Sequence, residues 1–253
     1  MKNSPMMAGW TLMLAGLLAC PAHFAVAASV PQNTAAIGLA ALPPVERGDL
    51  LEARGEYLAA IEAYREVTPD AEVFNKMGIA YHHLLAIDLA KKDYEKALLI
   101  RPNYPQAINN LGAAYFAERD YRKSIKLYRK ALELMPDSAV VAANLGTAYF
   151  ARGRFRQGLE AYRVAFRLDP EIFSQVNAQA IIGPTRIADR AHQDYCIAEL
   201  FAQAGMHEQA LDYLRKAIDE GFSNRNELMQ DAVFAKLRQT AEFARMMAEE
   251  KIR

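Results

Sequence analysis

The sequence predicts an all-α protein, a solenoid of about five stacked helix–turn–helix units closed by a C-terminal capping segment of helices. Three observations predict it. Leu111-Gly112-x2-Tyr115 returns 34 residues later as Leu145-Gly146-x2-Tyr149, and one period earlier stands Met77-Gly78-x2-Tyr81. Pro102, Pro136 and Pro170 keep the same 34-residue interval. The second half of each unit repeats as well: Ala90, Tyr94, Ala97; then Ser124, Tyr128, Ala131; then Gly158, Tyr162, Ala165. A single helix pair cannot bury its apolar face alone, so such units stack on one another.

The chain opens on a segment that is not part of this fold. Lys2 is the only charge before Glu46, and an apolar run from Met6 to Ala19 follows it. A positive start, a short apolar core and a small-residue exit describe a secretory signal peptide over residues 1–27. The run is shorter than the roughly 20 apolar residues that a membrane-spanning helix needs. Ala25-Val26-Ala27 predicts cleavage before Ala28. The alternative is Leu17-Leu18-Ala19-Cys20, which resembles a bacterial lipobox and would lipidate Cys20; a third outcome is an uncleaved anchor. Every one of these exports the chain. Cleavage leaves Cys196 as the single cysteine, and lipidation of Cys20 has the same effect, so the fold rests on its core without an intrachain disulfide. Cys196 sits in an apolar helical pattern and reads as a small buried residue.

A small-residue linker covers 28–40, and the repeat domain covers 41–224. Unit one, 41–70, keeps the turn Gly55-Glu56-Tyr57 and the second-helix positions Ala60, Tyr64 and Val67. Its first helix is expected to be degraded, with Pro43-Pro44 where apolar residues belong. Units 71–104, 105–138 and 139–172 carry the full pattern, with turns at Arg119-Asp120 and Gly153. In them the Gly and Ala positions let two antiparallel helices cross closely, and Pro ends each second helix. Residues 173–190 break the period as an inserted loop, with Gly183-Pro184 as a loop signal and Thr185 as the next helix cap. Unit five, 191–224, carries Gly205-Met206-His207, then Ala210, Leu214 and Ala217. In 225–253, Asp231 and Thr240 are expected to cap two short amphipathic helices that close the last apolar face.

The 34-residue period with L-G-x2-Y, A-x3-Y-x2-A and Pro resembles the tetratricopeptide repeat family, here in an exported bacterial form. That resemblance covers 41–224 and is most specific over 71–172. It implies a right-handed superhelix whose first helices line a concave groove that holds extended peptides or partner helices. The expected function is therefore a non-enzymatic scaffold or adaptor for protein–protein interaction in the bacterial cell envelope, in the periplasm. The alternative is an outer-membrane lipoprotein anchored through Cys20, resembling pilus or secretion assembly factors.

Counted from the motif, the groove candidates are Asn75, Lys76, Ile79, His82 and His83 in unit two. Unit three offers Asn109, Asn110, Ala113 and Phe116, and unit four Ala143, Asn144, Thr147 and Phe150. Asparagine amides donate and accept at once and so suit a peptide backbone, while Phe116 and Phe150 are expected to take apolar side chains. The lysine/asparagine clamp that family members use for acidic chaperone tails is incomplete. Lys76 and Asn110 fit two places, but Val140 and Asn144 stand where Lys and Arg are needed.

Thirty basic and thirty acidic residues cancel, so no global charge calls for nucleic acid or an anionic membrane. Locally, acidic residues outnumber basic ones in 41–104 and 191–253, whereas 105–172 carry a basic excess. That excess lies on second helices: Arg122, Lys123, Lys126, Arg129, Lys130, Arg156 and Arg163. It reads as a solvated convex face, with an anionic partner or lipid headgroups as the other use. No G-x-S-x-G, H-E-x-x-H, C-x-x-C, P-loop or dinucleotide fingerprint occurs. His82 and His83 are adjacent and point about 100° apart on a helix, a poor geometry for one metal. His192 and His207 stand isolated and read as surface or capping residues. No catalytic residue, cofactor or metal is therefore expected. The expected partner is a protein or peptide, with the membrane involved only through Cys20.

Overall fold

The computed structural model describes residue 39 and residues 41–68, 70–173, 187–222 and 224–249. The signal peptide, Cys20, nearly all of the linker and the inserted loop over 174–186 lie outside the described residues. From Leu42 onward the chain forms one compact unit. Among the described residues all regular structure is helical, in five consecutive antiparallel pairs. The pairs are α1 (Pro44–Ala53) with α2 (Tyr57–Arg65), α3 (Ala71–His83) with α4 (Ile87–Ile100), and α5 (Pro105–Ala117) with α6 (Tyr121–Leu134). Then come α7 (Ala139–Phe150) with α8 (Phe155–Leu168) and α9 (Ile187–Gln203) with α10 (His207–Asp219). Each second helix packs on the first helix of the next pair, and α3, α5 and α7 touch one another directly along one side.

Local chemistry sets the ends of these helices. Asp70, Asp120 and Ser138 accept hydrogen bonds from backbone N–H groups of the first turns of α3, α6 and α7. Each tight turn inside a pair places one residue at positive φ: Gly55, Leu85, Arg119, Gly153 and Gly205. The following residue donates its N–H back across the turn, as from Glu56 to Leu51 and from Asp120 to Tyr115, both at 2.9 Å. That bond closes the helix end by satisfying a carbonyl that would otherwise be orphaned. Between pairs, Arg101, Met135 and Asp169 leave the helical region because each precedes a proline.

Within the pairs, a glycine of the first helix lies under a tyrosine 16 residues later. Gly48 faces Tyr64, Gly78 faces Tyr94, Gly112 faces Tyr128 and Gly146 faces Tyr162. A Cβ at any of these glycines would stand within 3 Å of the ring. In unit five the equivalent positions hold Ala198 and Leu214, both fully buried.

Unit one corrects the expectation of a degraded first helix. Pro44 opens α1 instead of breaking it, since the first-turn N–H groups of a helix lack intrahelical partners anyway. Both helices of unit one are nevertheless short, α1 at 10 residues against 13 in α3, and α2 at 9 against 14 in α4. In unit five, α9 runs through Ile187 and Ala191 as one helix, and its expected cap, Thr185, lies outside the described residues.

The last pair is covered by α11 (Arg225–Gln230), 3-10 turns at Ala232–Phe234 and Leu237–Gln239, and α12 (Ala241–Glu249). Thr240 caps α12, whereas Asp231 caps a 3-10 turn and not an α-helix. The Tyr195 hydroxyl donates to Asp231 at 3.0 Å and ties the cap to α9. Phe234, Leu237, Phe243 and Met246 join one core with Phe150, Tyr162, Cys196 and Phe201. His192 lies between Phe155, with ring centres 4.4 Å apart, and Phe222, and so belongs to the aromatic packing and not to the surface. No helix among the described residues is long and apolar enough to cross a membrane.

Candidate partner-binding groove

The first helices α1, α3, α5 and α7 carry the candidate site. Asn144 on α7 donates its amide to Asn109 on α5 at 3.1 Å. Asn109 donates to its neighbour Asn110 at 3.1 Å, and Asn110 donates to Asn75 on α3 at 3.0 Å. Four asparagines thus form a continuous ladder across units two to four. The cross-helix steps join residues 35 positions apart, one more than the repeat period, because each bond is made between neighbouring first helices. Each amide has two N–H donors and two acceptor lone pairs, and the ladder uses only part of that capacity. The Nδ2 of Asn75, at the end of the ladder, donates to no other group among the described residues.

Beyond Asn75 the ladder opens into a pocket of about 430 Å³ between α1 and α3. Asp49 and Glu52 of α1 and Glu72 and Lys76 of α3 provide its charges, with Tyr57, His83 and Tyr104 as rings. Tyr57 and His83 stack with ring centres 4.6 Å apart and planes within 4° of parallel. The Tyr64 hydroxyl lies 2.8 Å from Asp49 and 3.0 Å from Glu52, and burial with these two carboxylates pushes its pKa up. Lys76 places Nζ 2.7 Å from Asp49 and 3.6 Å from Glu72. Burial opposes its charge, but the hydrogen bond to Asp49 and the surrounding carboxylates outweigh that and raise its pKa.

Several expected contact residues are corrected, Ala113 and Ala143 among them, since both are buried. Phe116 and Phe150 are 3% and 0% exposed, packed on Tyr121 and on Phe155 and Tyr162. They fill the space inside and between helix pairs, and Phe150 covers Gly158, so no partner reaches them. His82 is likewise buried, with Nε2 unpaired, and desolvation lowers its pKa to about 4. Thr147 is half-buried and internally engaged. Its hydroxyl donates to the Ala143 carbonyl at 3.0 Å and lies 2.8 Å from the Tyr162 hydroxyl. Asp49, Glu52, Tyr57 and Tyr104 were absent from the expected set. The recurring Gly–Tyr spacing would have disclosed the helix that carries Asp49 and Glu52.

On the outer side, Arg122, Lys126, Arg129 and Arg156 are exposed, while Lys123 pairs with Asp120 and Arg163 with Glu160. No group of His, Cys, Asp and Glu among the described residues is arranged to hold a metal ion.

Comparison with known proteins agrees with this architecture. Tetratricopeptide repeat models match residues 71–104 and 104–171. Residues 71–171 thus belong to the tetratricopeptide repeat family, a class of repeat proteins that serve as scaffolds for protein–protein interaction. Among solved structures, a Pseudomonas aeruginosa pilF structure is 18% identical, with a TM-score of 0.54, over 83% of this chain and 87% of that one. A MamA structure designated AMB-1 is 24% identical, with a TM-score of 0.49, over 71% of this chain and 98% of that one. The pilF likeness, at that identity, establishes the fold alone. No curated protein matches the chain.

Proposed function

We propose that this protein is a non-enzymatic scaffold of the bacterial cell envelope that holds an extended peptide or partner helix in its concave groove. The observation that carries this reading is the asparagine ladder from Asn144 to Asn75. Amides held in one orientation by their neighbours present unused donors and acceptors at a regular interval, which suits a peptide main chain. Helices already packed in place lose little entropy when a segment docks, so more of the contact energy remains as affinity. Export to the periplasm is supported by Lys2, the apolar run Met6–Ala19 and Ala25-Val26-Ala27.

The test is an in-cell crosslink of the exported protein, with mass spectrometry of attached partners and of its own N-terminus. Groove binding predicts a recurrent envelope partner that is lost in the Asn110→Ala, Asn144→Ala double variant. Crosslinks indifferent to those substitutions would move the docking surface elsewhere. A second reading is favoured by Leu17-Leu18-Ala19-Cys20, an outer-membrane lipoprotein that localises an assembly component. A mature chain beginning at a diacylated Cys20 would establish it, and one beginning at Ala28 would remove it.

A further inference from the structure

The pocket at the N-terminal end of the groove differs from the rest of the ladder in charge. Asp49, Glu52 and Glu72 bring three carboxylates, and Lys76 brings one ammonium. Lys76 is committed to Asp49 at 2.7 Å and lies farther from Glu72, at 3.6 Å. Glu52 is engaged through Oε2 with the Tyr64 hydroxyl, which leaves its other oxygen free to accept. The pocket lining thus holds more carboxylates than cations beside two tyrosine rings, each with one face taken: Tyr57 stacks on His83, and the Arg101 guanidinium lies 4.7 Å from the centre of Tyr104. Rings and carboxylates together favour a cation with an apolar stem.

A second feature points to what carries that cation. Asn75 is only 5% exposed, lines the same pocket, and has an Nδ2 with no partner among the described residues. The unused amide N–H of a pocket-lining residue can donate to an acceptor oxygen, which a lone cation lacks and a peptide carbonyl supplies. The volume of about 430 Å³ accommodates a long side chain together with its adjoining main chain.

We propose that this pocket is a subsite for a lysine or arginine side chain of the bound peptide. The cation sits between Glu52 and Glu72 against the tyrosine rings, and Asn75 Nδ2 donates to a neighbouring main-chain carbonyl. The subsite rests on the groove reading and adds a specificity to it: the ladder takes main chain in any sequence, and the pocket selects a basic residue. It gives the groove a polarity, with the basic residue of the ligand anchored at unit one.

The test uses the full exported protein and blocked alanine–serine nonapeptides carrying a central Lys, Arg, Gln or Glu, read by fluorescence anisotropy. The Lys and Arg peptides are expected to bind on the order of tenfold tighter than the Gln peptide, and the Glu peptide weakest, with the difference shrinking at raised salt. Glu52→Gln with Glu72→Gln, which keeps shape and the acceptor for Tyr64, is expected to level the series. Asn110→Ala with Asn144→Ala is expected to weaken every peptide by a similar factor. A level series in the unaltered protein, or a basic preference that survives the double glutamine variant, overturns the subsite and leaves the groove standing if the asparagine variant still weakens binding. Binding indifferent to the asparagine variant overturns the groove reading and the subsite with it.

Discussion

Leu85 occupies a backbone position that a β-carbon resists. Its φ is 59°, where the equivalent turns use Gly55, Gly153 and Gly205 at 70–77°, and its side chain is 82% exposed. Little packing compensates the strain, so Leu85→Gly should raise stability by about 0.5–1 kcal/mol, read as a higher urea midpoint at unchanged slope. A lower midpoint would mean that the leucine makes a contact worth more than the strain. His82 gives a residue-scale pH dependence. Folding holds it neutral with a pKa of about 4, while the unfolded chain protonates it near 6.5. The unfolded state therefore binds more protons between these values, and this site loses stability as pH falls from 6.5 towards 4, by roughly 2–3 kcal/mol. Asp194 acts in the opposite sense over the same range. Burial, with Glu220 beside it, raises its pKa to about 7, so the folded state binds the extra proton there. Urea unfolding of His82→Leu across pH should show the acid-side loss flattened relative to the parent; an unchanged profile would refute the assignment.

At the scale of the helix pair, the Gly–Tyr crossing sets the interhelix distance. A Cβ at Gly146 would meet the Tyr162 ring at 2.3 Å, and Tyr162 is itself fully buried among Phe150 and Phe173. Gly146→Ala must move packed atoms and should cost about 1–3 kcal/mol. Gly153→Ala separates sterics from backbone strain, because open space surrounds Gly153 while its φ is 70°. Its cost should stay near 1 kcal/mol. Thermal unfolding of the two variants ranks them, and equal losses would show that the close crossing is not what limits the pair. The same crossing also explains why Tyr94, Tyr128 and Tyr162 recur at one position of the repeat.

Over the repeat domain, stability is distributed by neighbours, and the C-terminal segment matters because it ends the stack. Phe234, Leu237, Phe243 and Met246 cover the α9–α10 pair, which would otherwise show Tyr195, Leu214 and Phe222 to water. Removal of 225–253 should expose this face, so that α9 and α10 lose amide protection in hydrogen exchange while α3 to α6 keep theirs. Uniform loss of protection along the chain would show a single cooperative unit instead. The charge pattern is legible at this scale too. An acidic pocket lies between α1 and α3, while exposed Arg122, Lys126, Arg129 and Arg156 lie on the second helices of units three and four.

The sequence by itself determined the helical pairs, their order and their turns, because a 34-residue recurrence of Gly, Tyr and Pro reports close crossings, buried rings and helix ends directly. It also placed Asn75, Asn109, Asn110 and Asn144 on first helices. Only the tertiary structure decided which of the first-helix residues are buried in the core. Phe116 and Phe150 share helices with the asparagines, and periodicity marks a helix face without saying which neighbour covers it. Packing of the adjacent pairs closed those rings into the core and left the amides to bond to one another. The pocket was hidden for a related reason. Asp49, Glu52, Glu72 and Lys76 lie on two helices of different units, and nothing along the chain brings their charges together until α1 and α3 stand side by side.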